Sequence, residues 1–107
     1  MEQKQLRRIL RLLRRELNAT LGERIDQVIL YGSQARGDAR DDSDIDVLIV
    51  LKDDFKYGAM LKKTSKVVAK LSLENDVVIS RAFASRQQYE QSNMPFMMNV
   101  RREGMAI

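Results

Sequence analysis

Two short apolar runs, Val28 to Tyr31 and Val47 to Leu51, frame a polar stretch that opens with Gly32-Ser33 and closes with Asp44-Ile45-Asp46. Each run reads as a buried strand. Residues i and i+2 of an extended strand point to the same face, so Asp44 and Asp46 project together while Ile45 and Val47 point the other way. Two carboxylates on one strand face, beside a glycine-bearing loop, suit a divalent cation and a phosphate.

Two common loop motifs fail on this stretch. Gly32 and Gly37 have the glycine spacing of a P-loop, but Asp38 and Ala39 follow where lysine and a hydroxyl residue are required. Asp42, Asp44 and Asp46 mimic the first three ligands of an EF-hand. The position that needs glycine for the sharp turn is Val47, and a strand pattern follows it.

The spacing of Gly32-Ser33, ten residues (Gln34 to Ser43) and Asp44-Ile45-Asp46 resembles the nucleotidyltransferase superfamily typified by DNA polymerase beta. Ala35-Arg36-Gly37, Ser43 before the aspartates and the closing Val100-Arg101-Arg102-Glu103-Gly104 are similar to its minimal members. The resemblance covers nearly the whole chain and implies the polymerase-beta-like nucleotidyltransferase fold.

The pattern of the remaining chain predicts an α/β (α+β) domain over residues 1–107, with a small mixed sheet of three or four strands and helices packed on it. Leu6, Ile9, Leu10, Leu13, Leu17 and Leu21 give a helix from Gln3 to Leu21 one apolar stripe. Arg7, Arg8, Arg11, Arg14 and Arg15 fall mostly off that stripe, as a solvated face or as a docking face for RNA or an acidic protein. Strands are expected at Gln27 to Tyr31, Asp44 to Leu51 and Asn75 to Ser80, with a helical turn at Ser33 to Arg36. A second long helix is expected from Tyr57 to Ser72, burying Met60, Leu61, Val67, Val68 and Leu71. Ser85 is placed to cap a short helix from Arg86 to Gln91, and Pro95 and Gly104 to open and close a last one. Phe96, Met97, Val100 and Met105 are expected in the core; Met94 and Met98 suit either the core or an adaptable binding surface.

Composition narrows the chemistry. With no cysteine there is no disulfide framework or thiolate zinc site, and with no histidine the usual general base is missing. Any metal is therefore held by oxygen, which favours Mg²⁺ or Mn²⁺. No apolar run approaches the roughly 20 residues that span a bilayer, and the basic start lacks the apolar segment of a signal peptide, so a soluble cytoplasmic protein without a membrane partner is expected. The net charge of +4 resides in Met1 to Arg24, where seven Lys/Arg face three Glu. Three Tyr and three Phe, without a cluster, argue against direct nucleic-acid binding.

The resemblance further implies transfer of a nucleotidyl group from ATP or another NTP with two Mg²⁺ ions. It assigns Asp44 and Asp46 to both ions, Asp76 to the one beside the incoming hydroxyl, and Gly32 and Ser33 to the β and γ phosphates. Arg36 is expected to add charge against pyrophosphate. Minimal members commonly pair with a HEPN RNase toxin, so an antitoxin that transfers AMP to a tyrosine of its partner is implied. A binding antitoxin that occludes its partner without catalysis, and transfer to RNA or a small molecule, are the alternatives.

Overall fold

The computed structural model describes all 107 residues. The chain runs α1 (Gln3–Leu21), a 3-10 turn (Gly22–Arg24), β1 (Ile25–Tyr31), α2 (Ser33–Arg36), β2 (Ile45–Leu51), α3 (Tyr57–Asn75), β3 (Ile79–Ser85), α4 (Arg86–Gln91), α5 (Pro95–Glu103) and β4 (Met105–Ala106). The strands form one mixed sheet in the order β3-β2-β1-β4. The pairs β1–β2 and β1–β4 are antiparallel, and β2–β3 is parallel, with α3 as the crossover.

Strand alternation divides the core in two. Val28, Leu30, Val47, Ile49 and Leu51 face α1 and α3 in the larger cluster, and α1 contributes all six residues of its apolar stripe. Ile29, Leu48, Val50 and Ala84 point the other way, against Met97 and Val100 of α5. Each fully buried aliphatic side chain adds about 1.5–3 kcal/mol relative to exposure, so the α1 stripe is a main anchor of the fold. Asp46 has the parity of Leu48 and Val50, and therefore stands on the α5 face of the sheet.

Several boundaries differ from the sequence expectation for local reasons. α3 continues past Ser72 to Asn75, and Asp76 closes it in the left-handed conformation at φ 51° and ψ 49°. Aspartate tolerates that region better than most residues, because its short polar side chain bonds locally. The backbone N–H groups of Asp76 and Val77 both return to the Ser72 carbonyl. The third strand consequently starts at Ile79, not Asn75, and runs to Ser85. Ser85 then caps α4 through a reciprocal capping box with Gln88.

Within α3, Met60, Val68 and Leu71 are buried as expected, while Leu61 is exposed and Thr64 takes a core place. Thr64 satisfies its hydroxyl on the Met60 carbonyl and accepts from Arg81 of β3. Phe96 and Met105 are not core residues: they are 45% and 55% exposed, as Met94 and Met98 also are on the surface. Phe96 instead meets Tyr31 edge to face at 5.3 Å. No helix is long and apolar enough to cross a membrane.

Leu13 is wholly buried between α1 and the sheet. Leu13→Ala is predicted to destabilise the fold by about 2–5 kcal/mol in urea unfolding.

Candidate functional site

The Gly-Ser loop and the two aspartates meet at one end of the sheet because β1 and β2 are paired there, Tyr31 lying opposite Asp46. The chain leaves β1 at Gly32 with φ 75°, a conformation that L side chains rarely adopt. A Cβ at this position would lie 2.6 Å from Asp46 Oδ2. The Asp46 carboxylate is thus packed directly against the Gly32 backbone, and only glycine permits it. Ala35 and Arg36 donate their N–H groups to the Gly32 carbonyl, and Gly37 at φ 83° donates to Ser33. This closes the short helix α2 with Ser33 as its first residue.

Asp44 is exposed at the entry to β2, and Asp46 is partly buried one step inside. Burial pushes the Asp46 pKa above the ordinary carboxylate value, and the charge of Asp44 pushes it further, with Arg36 opposing both. Burial, then the charge of Asp46, raises the Tyr31 pKa to about 12, so this phenol stays protonated beside the carboxylates.

Two carboxylates that repel each other at a strand entry are a natural seat for a cation. Their donors are all oxygen, which fits Mg²⁺ or Mn²⁺.

The expected third carboxylate does not join them. Asp76 is the exposed C-terminal cap of α3, not a strand residue, and no group of three or more His, Cys, Asp or Glu is assembled to hold a metal. The reason is the longer helix, which moves the strand entry four residues along. In the parallel β2–β3 register, Asp46 faces Ser80. Ser80 Oγ lies 3.4 Å from Asp44 Oδ2, so a serine occupies the place from which a third carboxylate would face the pair.

Arg36 is near the site but engaged. Its guanidinium meets Asp38 at 3.2 Å and both Glu103 oxygens at 3.3 Å. The bonds to Asp38, then Glu103, push its pKa up further. Glu103 also accepts the Gly32 N–H at 3.2 Å, with its side chain only 17% exposed. The last turn of α5 therefore ties the loop and the arginine together. Sequence reasoning missed this role of Glu103, although Gly104 was visible beside it. A Cβ on Gly104 would strike Ile29 Cγ2 and the Val100 carbonyl, each at 2.5 Å, so the glycine lets α5 close against β1.

Residues 6–96 match the nucleotidyltransferase domain family. The chain belongs to that family. Two proteins of Methanocaldococcus jannaschii, each named "Putative protein adenylyltransferase", are similar to this nucleotidyltransferase. One is 36% identical over 67% of this chain and 72% of its own length. The other is 39% identical over 78% of this chain and 79% of its own length. The nucleotidyltransferase also superposes on a chain in a crystal structure of a toxin-antitoxin with AMP-PNP, with a TM-score of 0.62 and 14% identity. That match covers 99% of this chain and 72% of the other, and shows a shared fold.

The raised pKa of Asp46 links stability to pH. The folded chain binds this proton more tightly than the unfolded one, so the charged form costs stability at pH 7, and the cost shrinks as pH falls through the raised value and is gone below the ordinary value of 3.8. In a chelating buffer at pH 7, Asp46→Asn is predicted to raise the melting temperature. The gain should shrink as pH approaches the ordinary value of 3.8 and reverse when Mg²⁺ stabilises only the wild type.

Proposed function

We propose that this nucleotidyltransferase is a cytoplasmic antitoxin that transfers AMP from ATP to a tyrosine hydroxyl of a cognate HEPN-type RNase toxin. The contact between Gly32 and Asp46 carries the transfer reading, because it sets the phosphate-side loop directly against the carboxylate face. The names of the archaeal relatives support protein as the acceptor, and the structural likeness to a toxin-antitoxin chain supports the pairing. The resemblance noted from the sequence supplies the HEPN partner and the tyrosine.

In this reading Gly32 and Ser33 hold the β and γ phosphates of ATP, and Asp44 and Asp46 hold Mg²⁺. The bound cation supplies positive charge against the phosphates and the leaving pyrophosphate. Glu103 keeps the Gly32 loop and Arg36 in place from below. The tyrosine oxygen attacks the α phosphorus, the bond from that phosphorus to the bridging oxygen of pyrophosphate breaks, and the hydroxyl proton passes to water at the exposed Asp44 end. Rate enhancement then comes mainly from position and fixed charge. Asp76 has no part in this step.

Ser80 favours a second reading. A serine opposite Asp46 leaves two carboxylates where a fuller cation set would have three, which suits an antitoxin that binds and occludes its partner with little transfer.

The test is co-purification with the protein of the neighbouring gene, followed by intact-mass analysis after incubation with ATP and Mg²⁺. Mass steps of one AMP on the partner are expected, lost in Asp44→Ala and Asp46→Asn and retained in Asp76→Ala. A tight complex without added mass would establish the occluding reading instead. Ser80→Asp, which adds a carboxylate opposite Asp46, is predicted to lower the Mg²⁺ concentration needed for half-maximal transfer several-fold.

A further inference from the structure

A groove of about 630 Å³ lies between α1 and β4, away from the carboxylate pair. Three independent features point to an occupant. The first is charge. Arg7, Arg11, Arg14 and Arg15 line the groove, and spacings of four and three put the first three along one side of α1. None of Arg7, Arg11 and Arg14 pairs with a carboxylate, and Arg15 reaches only Glu16 of its own helix at 3.9 Å. The chain's entire positive excess is carried by this first segment.

The second feature is a buried donor without an acceptor. Gln34, the second residue of α2, also lines the groove and is 8% exposed. Its Nε2 is the one buried side-chain polar atom in the chain that has no hydrogen-bond partner. Leaving a buried donor unpaired is costly, so natural folds rarely carry one that never meets an acceptor. The third is the sheet edge. β4 pairs with β1 on one side only, and its two residues are exposed.

From these we propose that the groove binds an acidic, extended peptide segment of a partner protein, laid along the open edge of β4. Carboxylates of the segment pair with the α1 arginines. Its alternate apolar side chains cover Leu6, Leu10 and Met105, and the Gln34 amide, whose Nε2 is buried without an acceptor, turns toward the groove to donate to one of its oxygens. Adding a strand at an exposed edge is an established mode of peptide capture, with side-chain pockets giving selectivity. The apolar part of the lining is aliphatic, which suits apolar side chains, and without a single aromatic the groove offers no stacking platform for bases. Because Gln34 follows Ser33 directly, an occupied groove would touch the loop at the carboxylate site from its other side. The inference does not depend on the transfer reading, since it uses none of the carboxylates.

The test is NMR titration of the ¹⁵N-labelled chain, without nucleotide, using a short peptide of alternating glutamate and valine. The expected result is saturable shifts of the Gln34 side-chain amide and of the Met105 and Ala106 backbone amides. Arg11→Glu should weaken binding about tenfold or more, whereas Arg8→Glu, which makes the same charge change outside the groove beside Asn75, should leave it within about twofold. Gln34→Leu should weaken binding several-fold while the thermal melt stays unchanged or rises, and the same peptide with lysine for glutamate should not bind. Equal losses in Arg11→Glu and Arg8→Glu would overturn the proposal, as would shifts that map elsewhere or none at all. Saturable shifts with a single-stranded uridine oligonucleotide, and none with the peptide, would assign the groove to RNA and equally overturn it.

Discussion

The Asp46 carboxylate resting on the Gly32 backbone is the contact on which the site depends. The glycine in it is not free to vary. A side chain at position 32 would meet the carboxylate, and without glycine the chain could not hold its positive φ at the end of β1. The β1–β2 ladder brings the two residues to the same end of the sheet, and the apolar parity of both strands fixes which face they occupy. A slip of one residue in that register would turn Asp46 into the core and Val47 out of it. The hydrophobic pattern that folds the sheet thus also aims the carboxylate.

The α5 face completes this arrangement. Gly104 lets the end of α5 approach β1, and Glu103 then reaches both the Gly32 N–H and the Arg36 guanidinium. The positive charge nearest the carboxylate pair is therefore already balanced by Asp38 and Glu103. What remains uncompensated at the site is the repulsion between Asp44 and Asp46, which is the property a cation relieves. On the opposite face, α1 provides the core with its leucines and leaves Arg7, Arg11 and Arg14 without a carboxylate partner.

Much of this was legible in the sequence, and the failures have physical causes. The α1 stripe, the Gly-Ser loop and the paired aspartates follow from short-range periodicity and spacing, which local residues determine. Asp76 was misplaced because its local pattern, an aspartate before a β-branched run, fits a strand entry as well as a helix end. The outcome was decided by the left-handed cap and the two N–H groups returned to Ser72, which no period reveals. Once β3 begins at Ile79, Ser80 takes the place opposite Asp46. The roles of Glu103 and Gln34 depend on contacts between distant parts of the chain or on the lack of one, and β4 is too short to show a pattern. Phe96 and Met105 read as core by residue type alone, yet lie at the surface beside Tyr31 and along the groove.

The central claim is that the Gly32 loop and the aspartate pair form one nucleotide site. The most direct measurement is titration of the ¹⁵N-labelled chain with ATP, with and without Mg²⁺, following backbone amides. Saturable shifts centred on Gly32 and Ser33 that require Mg²⁺, and that vanish in Asp46→Asn, are the predicted result. Shifts that are independent of Mg²⁺, that persist in the variant, or that are absent from the loop would contradict it.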